Sequence, residues 1–105
     1  MQSVLLVLKS PTKDPLYVSK KFAMQVLPQE GQSIAMENDI LTVSRVTHHL
    51  PRAAPPYVSV ECLCGMGSIV SVLNDHRTVP DTDGGWRIEG STKKAQEILR
   101  ARLEK

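Results

Sequence analysis

Residues 57–73, YVSVECLCGMGSIVSVL, carry the sharpest pattern in the chain. Val58, Val60, Cys62 and Cys64 alternate with Tyr57, Ser59, Glu61 and Leu63, the period of a strand with one face buried. Gly65-Met66-Gly67 then turns the chain. Ser68–Leu73 (SIVSVL) is a short apolar run whose periodicity alone does not separate strand from helix. We read it as a strand pairing back on residues 57–64 as a hairpin, which makes this part of the sheet antiparallel.

Upstream, Ile40–His49 (ILTVSRVTHH) is a second strand, with a break in its alternation. Leu41 and Val43 set one parity and Val46 requires the other, so a bulge is expected near Ser44-Arg45. Leu50–Pro56 (LPRAAPP) links the two strands as an open, proline-rich loop, and Glu37-Asn38-Asp39 is a polar hairpin turn. Tyr17–Leu27 places Val18, Phe22, Met24 and Val26 on one face, with Lys20 the exception, and Ser19, Lys21 and Gln25 on the other. Gln2–Lys9 (QSVLLVLK) reads as a buried strand that ends at the loop Ser10–Pro15.

Downstream, Asn74–Gly85 is polar and turn-rich, and Trp86-Arg87-Ile88 forms a short strand or a docking contact. Ser91 is the expected N-cap of a helix over about 91–104, with Ala95, Ile98, Leu99 and Leu103 on its apolar face. Lys and Arg crowd its last turns, as the helix dipole favours. The expected fold is a single α+β domain over residues 1–105. It is a small, strongly bent antiparallel β-sheet or SH3-like open barrel, closed by one C-terminal amphipathic helix.

The composition fits one globular domain: 105 residues, 41% hydrophobic and 23% charged. Only 4% are aromatic, so the core is built from Val, Leu, Ile and Met. Thirteen basic residues face eleven acidic ones, too even a balance to indicate nucleic-acid binding. The run Val4–Leu8 falls far short of the roughly 20 apolar residues of a membrane span and lacks the flanks of a signal peptide. Cys62 and Cys64, two residues apart on a strand, do not suit an ordinary disulfide. The expectation is a cytoplasmic protein with reduced thiols and no membrane association.

Three kinds of chemistry are suggested and each has a simpler account. Cys62, Cys64 and a histidine, His48 first, are ligands of the type zinc takes, but C-x-C lacks the turn that brings two thiolates onto one ion. Gly65-Met66-Gly67 after a strand resembles the opening of a dinucleotide turn, yet Val70 stands where the third glycine belongs. Cys64 with His48 or His76 and Asp75 or Asp39 would supply nucleophile, base and orienter, but no elbow motif joins them. We therefore expect no cofactor and no enzymatic role. Lys and Arg around the stripe of the C-terminal helix permit docking on a second copy. The rim formed by Arg45, His49, Arg52 and Tyr57 is the candidate binding surface.

Leu27–Leu50 (LPQEGQSIAMENDILTVSRVTHHL) has a Pro-x-x-Gly turn, a strand, a polar turn and a strand ending Val-x-x-Val-x-His. This resembles a pattern of small uncharacterised bacterial mobile-element proteins, of integron-cassette or phage type. The resemblance implies origin and strand layout, and no activity. Together these readings predict a non-enzymatic binding or adaptor module that engages a protein partner and self-associates as a homodimer. The alternative is a small-ligand or metal-binding domain using Cys62, Cys64 and His48.

Overall fold

The computed structural model describes residues 2–11, 15–36, 39–75, 86–88 and 92–103. Its organising strand is β1 (Gln2–Lys9). Val4, Leu6 and Leu8 are buried on one face of β1, while Leu5 and Val7 are half-buried on the other. A strand apolar on both sides suits the middle of a sheet. β1 pairs antiparallel with β2 (Tyr17–Met24) and parallel with β5 (Tyr57–Leu63). The sheet is completed by β3 (Ser33–Met36), β4 (Asp39–His49) and β6 (Arg87–Ile88), in the order β3-β4-β5-β1-β2-β6. Two helices, α1 (Met66–Asp75) and α2 (Lys93–Leu103), pack on one face.

The core lies between that face and the helices. Val4, Leu6, Leu8, Val18, Leu41, Val43, Val60 and Cys62 from the strands meet Ile69, Val72 and Leu73 of α1 and Ala95 and Leu99 of α2. Trp86 joins them fully buried, its ring tilted against Phe22 at 5.8 Å. Its indole N–H is the one buried side-chain polar atom without a partner among the described residues.

Several local expectations hold. The bulge in β4 falls between Val43 and Arg45, where the parity changes. Met36 pairs with Asp39, so β3 and β4 form the expected hairpin, although Glu37 and Asn38 lie outside the described residues. On β2, Val18 is buried and Phe22 and Met24 are partly buried against the core. The strand ends at Met24, however, and Val26 beyond it is 81% exposed.

Three expectations are corrected. The sheet is mixed, because β5 runs parallel to β1. Ser68–Leu73 is helical, not a returning strand, so there are two helices. Met66, Ile69, Val70 and Leu73 recur at helical spacing, and Ile69, Val72 and Leu73 are all buried. A strand would have turned Ile69 and Leu73 away from Val72. Asn74 and Asp75, placed in a loop by the sequence, end this helix; residues 76–85 lie outside the described set. The C-terminal helix starts at Lys93, with Thr92 Oγ1 accepting from Ala95 N at 3.2 Å, an N-cap bond. Ser91, the expected cap, is outside the described residues. Among the described residues β3 and β6 end the row of strands, and the sheet is not closed into a barrel.

The β1–β2 connection is tied by one buried side chain. Ser10 N donates to Leu16 O at 3.0 Å, and Leu16 N donates to Ser10 Oγ at 2.8 Å. Ser10 and Leu16 are both fully buried. Ser10→Ala removes the acceptor for a buried N–H, which is expected to cost about 1–3 kcal/mol. Urea unfolding should show a lower midpoint with an unchanged slope. An unmoved midpoint would mean that Leu16 N–H finds another acceptor.

Candidate binding surface

Because strand side chains alternate, the sheet has a second face that no described helix covers. The bulge sets its membership in β4: Arg45, Thr47 and His49 pair with Glu61, Ser59 and Tyr57 of β5. His48 pairs with Val58 and points to the other side. The two adjacent histidines therefore face opposite ways, as their spacing requires.

His49 and Tyr57 stack with ring centroids 4.3 Å apart and planes within 6°. His49 Nε2 shares a 2.8 Å hydrogen bond with Ser59 Oγ, the direction set by the imidazole tautomer. The two contacts fix the imidazole, and Tyr57 remains 45% exposed. At the bulge, Ser44 Oγ donates to the Glu61 carbonyl at 2.9 Å. At the opposite corner of this face Lys9 Nζ sits 5.4 Å from the Tyr17 ring centroid, a cation–π contact. A cleft of about 400 Å³ wraps round the strand ends beside Ser3, His48, Leu50 and Pro56.

Of the candidate rim, Arg45, His49 and Tyr57 share the uncovered face, while Arg52 stands exposed in the 50–56 loop beyond the strand ends. Ser59 was missed. Alternation already put it beside Tyr57 and Glu61, but only the β4–β5 register brings it to His49. A serine bonded to a histidine has the form of a nucleophile with its base. Here β5 lies between β4 and β1, so the backbone N–H groups of Val58–Leu63 serve the two ladders.

The metal candidates do not converge. His48 is opposite Val58 and Cys62 opposite Val43, which separates them by four residues, roughly 13 Å along the strand. Among the described residues no group of three or more His, Cys, Asp or Glu is placed to hold a metal ion. Burial, reinforced by Glu61, pushes the Cys62 thiol up to about 11. Burial, then Cys62 and Asp39, pushes Cys64 up to about 12. Protonated thiols are poor nucleophiles and poor ligands.

The glycine turn does open a helix, since Ile69 N donates to Gly65 O at 3.1 Å. The dinucleotide comparison still fails. A Cβ at Gly65 or Gly67 would meet nothing within 4 Å, so neither glycine serves a close approach. The strand after α1 pairs antiparallel with β2 at the far edge, whereas the nucleotide fold needs a parallel neighbour. Asp39 Oδ2 instead accepts from Ser71 Oγ at 2.8 Å, which ties α1 to β4. No helix among the described residues is long and apolar enough to cross a membrane. Comparison with protein-family models, curated proteins and solved structures gives no match.

The thiols supply a test. At about pH 8 neither cysteine of the folded protein should react with Ellman's reagent, and both should react in urea. Each folded thiol ionises above its ordinary value of 9.0. The unfolded chain therefore loses these protons first, and the contribution present below about pH 9 fades as pH climbs toward 11–12. A Cys62→Ala/Cys64→Ala protein should show a flatter fall in urea midpoint over that window. Rapid labelling of both cysteines in the folded protein would contradict the burial of Cys62 and the raised pKa of half-buried Cys64.

Proposed function

We propose that this chain is a non-catalytic binding module that adds a protein strand, first of all a second copy of itself, along the outer edge of β4. One observation carries the reading: β3 covers only half of β4. Gly31, at φ 88°, turns the chain, and Gly31 N donates to Val43 O while Val43 N donates to Gln32 O, each at 2.9 Å. Pairing of β3 then proceeds from Thr42 to Asp39. Ser44–His49 bond to β5 on one side, and no described strand lies on the other.

Such an edge is a template for strand addition. Its side chains also suit self-pairing. In an antiparallel two-fold arrangement centred on Thr47, Arg45 meets His49 of the second copy and Val46 meets its His48. Like faces stay together and no like charges stand opposite each other with neutral histidines. The Leu50–Pro56 rim borders the edge, with Leu50 80% exposed and Arg52 beside it.

Sedimentation velocity should show a concentration-dependent dimer. Thr47→Lys, which sets two ammonium groups opposite each other, should abolish it, and Arg52→Glu should weaken it less. Far-UV circular dichroism checks that each variant is folded. A folded Thr47→Lys protein that dimerises as before removes β4 as the interface. A monomer at every concentration removes self-association.

A further inference from the structure

We infer that the uncovered sheet face binds single-stranded nucleic acid, with bases on the His49–Tyr57 corner and phosphates on Lys9, Lys21 and Arg45. The backbone edge of β4 proposed for self-pairing borders this face and shares Arg45, Thr47 and His49 with it. Two-fold pairing along that edge leaves both copies' open faces on one side.

The strand registers define the platform. One row across it is Thr47, Ser59, Leu5 and Lys21; the next is Arg45, Glu61, Val7 and Ser19; a third is Leu63, Lys9 and Tyr17. Arg87 continues the second row at the far edge. The described strands thus place Lys9, Lys21 and Arg45 on this face, with Glu61 opposite Arg45. Asp39, at the start of β4, is turned to the helix side, where it accepts from Ser71. A face of this sign complements a polyanion.

The ligand's second property comes from the rings. Tyr57 is half-exposed and held parallel to His49, and Lys9–Tyr17 marks the other end. Leu5 and Val7 form a half-buried apolar floor between them. The corners are about six residues apart along the strands and two strand spacings apart across them, roughly 22 Å. A run of two or three unstacked bases fits that span, as on other four-stranded sheet platforms. A flat face has no element to enter a duplex groove, whereas aromatic side chains beside a basic track suit single strands.

Anisotropy of fluorescein-labelled (dT)12 and (rU)12, titrated with the full chain, tests this. Binding is expected at about 50 mM salt, falling with a log–log slope of about −2 for three phosphate contacts. Lys21→Glu and Tyr57→Ala should each weaken it by about tenfold or more. Tyr57→Phe, which keeps the ring, should restore it. Anisotropy taken at protein concentrations below and above the dimer midpoint from sedimentation reads the face without and with the paired edge, so failure of the edge and failure of the face are told apart. No binding at about 100 μM protein overturns the proposal. So does equal binding by Tyr57→Ala, which leaves only generic charge attraction. If Lys21→Glu and Tyr57→Ala alter sedimentation and leave anisotropy unchanged, the face is a protein interface and the proposal is wrong.

Discussion

The parallel pairing of β1 with β5 is the constraint on which the remaining structure depends. It aligns Val4 with Val58, Leu6 with Val60 and Leu8 with Cys62, which makes the middle of the sheet one continuous apolar floor on the helix side. The same register sets Leu5, Val7 and Lys9 beside Ser59, Glu61 and Leu63 on the other side. A slip of one residue would exchange the two sets. Parallel neighbours also cannot be joined by a tight turn. The chain instead spends β2, β3 and β4 on the return, and this puts a long antiparallel strand, β4, outside β5.

The molecule is asymmetric as a result. Both helices take the same side because α1 leaves β5 with Ile69, Val72 and Leu73 directed at that apolar floor, and α2 adds Ala95 and Leu99. The other side keeps alternating polar, basic and ring-bearing residues with only the half-buried Leu5 and Val7 beneath them. A rigid, flat array of side chains on strands suits positioning and contact. The His49–Tyr57–Ser59 cluster is the clearest case, with its imidazole fixed by stacking and by a hydrogen bond at once.

The edge of β4 has a related cause. The positive φ of Gly31 and the bonds between Gly31, Gln32 and Val43 start β3 beside the bulge, and the bulge adds twist and breaks the register there. β3 therefore runs away from Ser44–His49 and leaves that stretch without an outer strand among the described residues. A local turn thus decides what part of the sheet is open.

Alternation in β2 and β5, the bulge at Val43/Arg45, the opposed histidines and the amphipathic stripe of α2 were legible in the sequence. Each depends on side-chain direction along one segment, which the local period fixes. The helix at Met66–Asp75 was not read from the sequence, because a short apolar run after Gly65-Met66-Gly67 suits a returning strand as well as a helix. Strand partners were not legible. Nothing near Leu5 or Lys21 in the chain indicates that they share a row with Ser59 and Thr47, because that row is set by pairings between separate segments, Lys21 with Leu5, Leu5 with Ser59 and Ser59 with Thr47. The burial of Cys62 and the separation of His48 from it are likewise products of register and packing. The sequence by itself determined which way each side chain points along its own element. Only the tertiary structure decided which elements stand together, because burying the apolar face of β1 is a choice among distant partners that no local pattern encodes.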